Sequence, residues 1–430
     1  MDLDSLALFT ESLADCGYHF GRRYFAGSCP VHLAPPPFAP PFGGQGLIAS
    51  RIRAPLLVLL AGLCVAVWAN IETASVAAVP LGWGLLWNHY AAHFIDPQGR
   101  VIDYEDAGVT TSEGEAYALF FALVDNDPVL FGKILSWTQS NLAQGSLASH
   151  LPSWRWGLDK KGRWGVLDAN SASDADTWMA YTLIQAGRLW HDPRYAALGK
   201  LMSLRIAQDE VVDLQGIGPT LLPGPTGFHP KPQEYVVNPS YLPLFLLDGL
   251  ATAAPSGPWA HMAVKLPKLL QSVAPEGFAP DWVAYVPGKG FGVAPQGPEG
   301  SYNAIRVYLW AGITNPKTPG SAQVLAAVWG MGKFLQTHIL PPVSVNTSNG
   351  VAKGNGPVGF SAAVMPYLKR MGMQEALGNQ NLRLTADFDP HVGLYGKPPR
   401  YYDQNLALFA LGWLQGAFHF APNGNLEAVW

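Results

Sequence analysis

An acidic side chain stands at the expected start of a helix in the segment VTTSEGEAYALFFAL. Thr111 or Ser112 can cap this helix, Glu113 lies in its first turn, and Gly114 would leave room for a ligand close to the backbone. A carboxyl group in this place can act as a general acid, or it can be an ordinary helix-start acid that the helix dipole attracts. Because the dipole lowers the pKa of an acid, the catalytic role requires desolvation or a neighbouring carboxylate that opposes it.

A second segment, NSASDADTWMAYTLIQAGRLW, carries two acids at another expected helix start. Ser173 and Asp176 have the spacing of a capping box, and Asp174 lies between them. Two acids exceed what capping requires. We therefore predict that Asp174 binds substrate hydroxyl groups and helps Glu113 to hold its proton, and that Asp176 is structural, although capping alone also accounts for both acids.

A third segment, PEGSYNAIRVYLWAG, leads from a loop into a helix with Tyr302, Asn303 and Arg306 in its first turn. Arg306 can be an ordinary surface or buried-pair residue. Beside an acidic cleft, however, its planar guanidinium group would orient a carboxylate.

Two carboxyl groups that flank a bond are what glycosidic hydrolysis requires, since one protonates the leaving oxygen and the other activates water or attacks the sugar. The chain also carries 15 Trp, 16 Tyr and 19 Phe beside only 13% charged residues. Solvent-facing rings suit sugars, although any one ring more often belongs to the core. The candidate substrate-binding residues cluster in loops and at helix starts: Trp154, Trp156, Tyr235, Asn238, Tyr241, Trp282, Tyr302, Arg306, Tyr401 and Tyr402.

Charge and cysteine content exclude several other classes of function. A formal net charge of -4 supplies no basic field for nucleic acid. The three cysteines all precede residue 70, which argues against thiol and metal chemistry in the rest of the chain. His89 and His93 are four residues apart but have no Glu between them, so packing is favoured over zinc binding. We predict neither a cofactor nor a metal.

The pattern of apolar residues predicts an all-α fold. From Leu81 onward these residues recur at helical spacing, and strand-like alternation is rare. Long loops at 145–172, 208–238 and 273–300 hold many of the Trp, Tyr and acidic residues. Twelve helices without a composition break predict one closed toroid of six helical hairpins, at 81–94, 113–124, 128–144, 174–190, 193–207, 239–252, 257–272, 302–313, 320–338, 358–371, 373–385 and 402–418.

The N-terminal part of the sequence predicts export. Residues 51–78 combine two arginines, an apolar run too short to span a membrane, and small residues ending in Ser75-Val76-Ala77, as in a secretory signal peptide. Residues 1–50 are rich in Pro and Gly and are interpreted as a disordered leader or an over-extended translation start. Residues 79–430 would then form a single catalytic domain in the periplasm or outside the cell.

Together these motifs resemble glycoside hydrolase family 8, and most closely its periplasmic endoglucanases that are encoded with bacterial cellulose synthase. The resemblance runs from about Trp83 to Trp413. Its most specific part is ASDAD at 172–176 with the apolar residues that follow, where Thr182 replaces the usual Ser or Ala. TSEGEAYALFFAL, WRWG, NPSYL and SYNAIRVYLW are also similar to that group, in the same order.

The resemblance implies an (α/α)6 barrel that cleaves β-1,4-glucan in an open groove, with inversion at the anomeric carbon. It also implies that Glu113 is the general acid and that Asp174 holds the sugar at the cleavage point. The expected partners are glucan chains and the cellulose synthase export complex. A xylanase or a chitosanase is the nearest alternative within the family.

One residue departs from this pattern. The cellulose-associated enzymes carry Asp as general base where this chain has Asn303, and an amide cannot accept the proton of an attacking water. Some members of the family with Asn there draw the base from a loop, which makes Glu299 or Asp281 a candidate. The alternatives are a substitution made to trap substrate, and a natural glucan-binding protein with little activity.

Overall fold

The computed structural model describes residues 81–430, so the predicted leader at 1–50 and signal peptide at 51–78 lie outside the described residues. Between residues 81 and 430 the chain forms thirteen α-helices. They are α1 (Trp83–Phe94), α2 (Ser112–Val124), α3 (Pro128–Asn141), α4 (Ser173–Leu189), α5 (Pro193–Asp209), α6 (Leu244–Ala253), α7 (Trp259–Val273), α8 (Ile305–Ile313), α9 (Ser321–Ala327), α10 (Trp329–Leu335), α11 (Val358–Arg370), α12 (Gln374–Asp387) and α13 (Tyr401–Gln415).

The helices form two concentric rings. Helices α2, α4, α6, α8, α11 and α13 are buried over most of their length and make the inner ring. The outer helices bury mainly one stripe, as in α3, where Phe131, Ile134, Leu135 and Thr138 face inward. Each inner helix packs against the outer helix that follows it, and α13 packs against α1. This arrangement confirms the predicted toroid of six hairpins, an (α/α)6 barrel.

Aromatic side chains fill the inside of the inner ring. Phe409 of α13 contacts Phe120 of α2 at a centroid distance of 5.4 Å, Trp178 of α4 at 5.0 Å and Trp310 of α8 at 5.1 Å. Tyr117 packs edge-on against Phe409 at 5.0 Å. Because such side chains bury large apolar surfaces, this cluster fixes the relative positions of the inner helices.

The ring closes through contacts between its two ends. The indole N–H of Trp83 in α1 donates a hydrogen bond to the carbonyl oxygen of Leu408 in α13 over 2.9 Å. The backbone N–H of Trp83 donates to Oε1 of Gln415 over 2.8 Å. Helix α1 is therefore anchored to the last helix of the chain.

Three boundaries of the predicted helices were wrong for local reasons. A 3-10 turn over Pro239–Tyr241 precedes α6, whose start is set by Pro243 because proline cannot donate a helical hydrogen bond. The segment 302–304 forms a turn before α8. The predicted helix 320–338 is split at Val328, since the N–H of Gly330 donates to Gly277 rather than within a helix.

Short antiparallel strands lie in the predicted long loops and in other connections between the helices, and they were not predicted, because two to eight residues give too few alternations to recognise. Three sheets have three strands each, in the orders β1-β2-β3, β6-β7-β8 and β11-β10-β9, and the other strands pair as hairpins. The strands are β1 (Thr110–Thr111), β2 (Ser153–Leu158), β3 (Trp164–Ser171), β4 (Val211–Leu214), β5 (Gly218–Leu221), β6 (Tyr235–Val237), β7 (Val283–Val286), β8 (Gly290–Val293), β9 (Glu299–Gly300), β10 (Ser344–Asn346), β11 (Val351–Lys353), β12 (Phe388–Asp389), β13 (Leu394–Tyr395), β14 (Phe418–Phe420) and β15 (Leu426–Ala428).

None of the helices in the part of the chain that the structure describes combines the length and the apolar character needed to cross a membrane.

Candidate active site

A buried guanidinium group joins the three predicted helix-start segments. Nη1 of Arg306, in the first turn of α8, donates to a carboxylate oxygen of Glu113 and, over 2.9 Å, to Oδ2 of Asp174. Nη2 donates over 2.7 Å to Oδ1 of Asn303. The Arg306 side chain is only 4% exposed. The structure therefore brings Glu113, Asp174 and Asn303, one from each of these segments, together around one cation.

Helix α2 places Glu113 in its first turn, where the side chain can reach solvent. Thr111 caps the helix, since its side-chain oxygen accepts the N–H of Gly114 over 3.2 Å. Glu113 is the one residue of α2 that is not buried, and its side chain is 22% exposed. Gly114 does not leave room for a ligand as expected, because a Cβ there would overlap the hydroxyl group of Tyr401.

Tyr117 is a member of the cluster that the sequence analysis missed. Its hydroxyl group donates to Oε1 of Glu113 over 3.2 Å and accepts from Nη1 of Arg306 over 3.0 Å. Tyr117 lies four residues after Glu113, on the same face of α2. That spacing was the available signal. Tyr117 and Arg306 together hold the Glu113 carboxyl group in one orientation.

Asp174 is almost completely buried in the first turn of α4. Its Oδ1 accepts the N–H of Ala175 over 2.8 Å, and its Oδ2 accepts from Arg306. Burial raises the pKa of Asp174, whereas the bond from Ala175 and the guanidinium charge favour the ionised form. Asp176 does not join this cluster and faces Glu210 and Ser171 instead.

Asp281 supports the turn that carries Asn303. Its Oδ1 accepts the N–H of Ser301 over 2.9 Å and the N–H of Ala304 over 2.7 Å, on either side of Asn303. Burial raises the pKa of Asp281 to about 6, although these N–H groups oppose the shift. Glu299 has an exposed side chain on β9, and its backbone carbonyl accepts the N–H of Asp281 over 2.8 Å.

Several predicted aromatic residues surround the cluster. Arg306 lies over the ring of Tyr241 at 5.5 Å, and Tyr241 contacts Trp282 at a centroid distance of 6.3 Å. The hydroxyl group of Tyr402 donates to the carbonyl oxygen of Tyr302 over 2.6 Å. We call these four residues, of which Tyr241 lies next to Arg306, the aromatic border of the cluster.

Other predicted binding residues make different contacts. Trp156 packs against Trp137 of the outer helix α3 at a centroid distance of 5.2 Å and beneath Arg100 at 4.6 Å. Trp154 lies under its neighbour Arg155, and Tyr235 stacks on His229. Two more residues have structural contacts: Tyr401 is buried against Gly114, and Asn238 caps the 3-10 turn by accepting two bonds from Ser240.

Comparisons of sequence and of structure with known proteins all identify glycosyl hydrolases of one family. The sequence model of the Glycosyl hydrolases family 8 matches residues 60–416. An endoglucanase from Xanthomonas axonopodis pv. citri is 43% identical over 87% of this chain and 96% of its own length. An endoglucanase from Escherichia coli K12 is 42% identical over 80% of this chain and 90% of its own. The crystal structure of endo-1,4-D-glucanase from Vibrio fischeri ES114 has a TM-score of 0.76 and 38% identity, and the match covers 80% of this chain and 99% of that one.

Replacing Arg306 by methionine is expected to lower the free energy of unfolding by about 3–5 kcal/mol at pH 8, because two neighbouring carboxyl groups lose their shared cation. The loss should be smaller at pH 5. Without the cation, the pKa of Asp174 in the folded protein rises further above its unfolded value, so stability falls as the pH rises and this acid is forced to ionise. Denaturant titrations at both pH values measure the difference.

Arg194→Met is the matched control, because Arg194 pairs with Asp192 through a side chain that is 87% exposed. Its unfolding midpoint should stay close to that of the parent at both pH values. Equal losses in the two variants, or a larger loss at pH 5 for Arg306→Met, would count against the buried cluster.

Proposed function

The chain belongs to glycosyl hydrolase family 8, and we propose on this premise that it is an endo-β-1,4-glucanase acting on cellulose-like chains with inversion. The observation that carries the proposal is the Arg306 cluster, in which Glu113 and Asp174 share one cation beside an aromatic border. Relatives named endoglucanase at 42–43% identity support this choice of bond and substrate.

Glu113 is assigned as the general acid. It transfers its proton to the glycosidic oxygen as the bond from that oxygen to the anomeric carbon breaks. Its partial exposure allows contact with substrate, while Tyr117 and Arg306 fix its orientation. One guanidinium charge does not balance two ionised carboxylates, so the cluster favours keeping one proton.

Asp174 is assigned the role of binding the sugar at the cleavage point. Its buried carboxyl group is held by Arg306 and by the N–H of Ala175, and it would bind a ring hydroxyl group rigidly. Rigid placement matters because hydrogen bonds to the distorted ring strengthen in the transition state.

Asp281 is assigned as the general base, because the amide of Asn303 cannot take the proton of the attacking water. The partly exposed Asp281 uses Oδ1 for the two backbone bonds on either side of Asn303, while Oδ2 accepts neither of them. Its pKa of about 6 suits a base that works near neutral pH. Glu299, the other candidate, has an exposed side chain, and its backbone carbonyl accepts the N–H of Asp281.

The export signal in residues 51–78 leads us to propose that residues 79–430 are the catalytic domain and work in the periplasm or outside the cell. There the enzyme would trim glucan chains beside a cellulose synthase export complex. N-terminal sequencing of protein recovered from the periplasm should find a start near residue 78, and an intact N-terminus there would contradict the proposal.

Glu113→Gln is expected to lower kcat on a soluble cellulose derivative by roughly 10²–10⁴-fold, because the amide has no proton acidic enough to transfer to the leaving oxygen. Binding of cello-oligosaccharides should persist, since Oε1 can still accept from Arg306 and Tyr117. Reducing-end assays and calorimetry measure the two effects.

Glu375→Gln, which changes an exposed acid at the start of α12, is the control and should behave like the parent. Full activity of Glu113→Gln would end the assignment of the acid. A parent that binds glucan without releasing reducing ends would support the alternative of a non-catalytic binding protein. Faster cleavage of xylan or chitosan than of β-1,4-glucan would instead indicate a xylanase or a chitosanase of the same family.

Asp281→Asn tests the base. The amide oxygen can still accept the N–H groups of Ser301 and Ala304, so the turn is kept, while kcat should fall roughly 10²–10⁴-fold. Asn303→Asp should change kcat of the parent only a few-fold, since a base is already present. A gain of about 100-fold or more in Asn303→Asp would instead mean that the parent lacks a base.

A further inference from the structure

A second pair of acids lies at the start of α4, outside the Arg306 cluster. Asp176 is 0% exposed and Glu210, the residue that follows α5, is 1% exposed. Their side chains are within hydrogen-bonding distance of each other. Both acids are therefore removed from water and in direct contact.

The pair lacks the donors that two ionised carboxylates would need. Ser171 at the end of β3 gives its one hydroxyl hydrogen to Oε1 of Glu210 over 2.6 Å. Within residues 81–430, no N–H or O–H group donates to either oxygen of Asp176 or to Oε2 of Glu210. The ionisable groups that act on the pair from the adjoining elements are Asp174 in α4 and Asp209 in α5, which are also acids.

Electrostatics disfavour two charges on this pair. Two negative charges in contact, buried and without a cation, repel each other strongly, so one of two such carboxyl groups keeps its proton. A protonated carboxyl group can then donate to the ionised one, which satisfies an oxygen on each side.

The backbone around the pair links it to Asp174. The N–H of Leu222 donates to the carbonyl oxygen of Glu210 over 2.9 Å, and the N–H of Ser173 donates to Pro223 over 3.0 Å. Asp176 is two residues after Asp174 in the first turn of α4. The backbone bonds and the acid pair thus connect the end of α5 to the turn that carries Asp174.

We propose that Asp176 and Glu210 share one proton at neutral pH and act as positioning residues, holding the first turn of α4 so that Asp174 stays in place for the substrate. This inference rests on the proposed function for the role of Asp174. The shared proton itself does not depend on it.

The proposal has a consequence for pH dependence. Burial raises the pKa of Glu210, and burial together with the charge of Glu210 raises the pKa of Asp176. The folded protein therefore binds more protons than the unfolded chain, and stability falls as the pH rises above the ordinary carboxyl range until the shared proton is lost. Loss of the shared proton at alkaline pH should loosen the α4 turn and lower kcat.

Asp176→Asn makes the contact independent of the shared proton, because the amide N–H of Asn donates to Glu210 at any pH. We expect kcat to remain within about threefold of the parent at pH 6. The fall of kcat on the alkaline side of its pH profile should shift to a pH about one unit higher. The decrease of the unfolding midpoint between pH 6 and pH 9 should be smaller than in the parent. Glu210→Gln should give the same two shifts, and it serves as the test if Asp176→Asn does not fold.

Asp248→Asn is the control, since Asp248 on α6 is another partly buried acid whose pKa is raised to about 6 by burial. It should leave the alkaline limb of kcat unchanged. An unmoved alkaline limb in both Asp176→Asn and Glu210→Gln would overturn the positioning role. An unchanged pH dependence of unfolding would overturn the shared proton, and that measurement works even if the parent fails to cleave β-1,4-glucan.

Discussion

The buried positive charge of Arg306 is the constraint on which the site depends. Arg306 is 193 residues from Glu113 and 132 from Asp174 in sequence, yet its Nη1 contacts both carboxyl groups. A guanidinium group that is almost fully buried must find anionic or polar partners in fixed directions. The starts of α2, α4 and α8 can therefore adopt only one mutual arrangement, and the aromatic packing of Tyr117 and Phe409 below them maintains it.

Two acids with different partners, Asp174 and Asp176, lie in the first turn of α4. Asp174 points to the Arg306 cluster, whereas Asp176 points away from it to Glu210. Arg306 donates to one set of acids, whereas no cation within residues 81–430 donates a hydrogen bond to Asp176 or Glu210. Two neighbouring positions of one motif thus solve the problem of a buried acid in different ways.

The sequence predicted the helices well because their apolar stripes extend over three or more turns. It also identified the three segments that meet at Arg306, because acids beyond the needs of capping are conspicuous at helix starts. Contacts between distant residues left no such signal. The support of the Asn303 turn by Asp281 and the packing of Trp156 on Trp137 both depend on strand pairings in loops that are too short to show a period.

The bond from the Trp83 indole to Leu408 spans 325 positions of the chain. The inner ring is complete only when α13, its last member in the sequence, packs against α2 and α11. Pairing the two extremes of so long a segment also slows the search for the native topology.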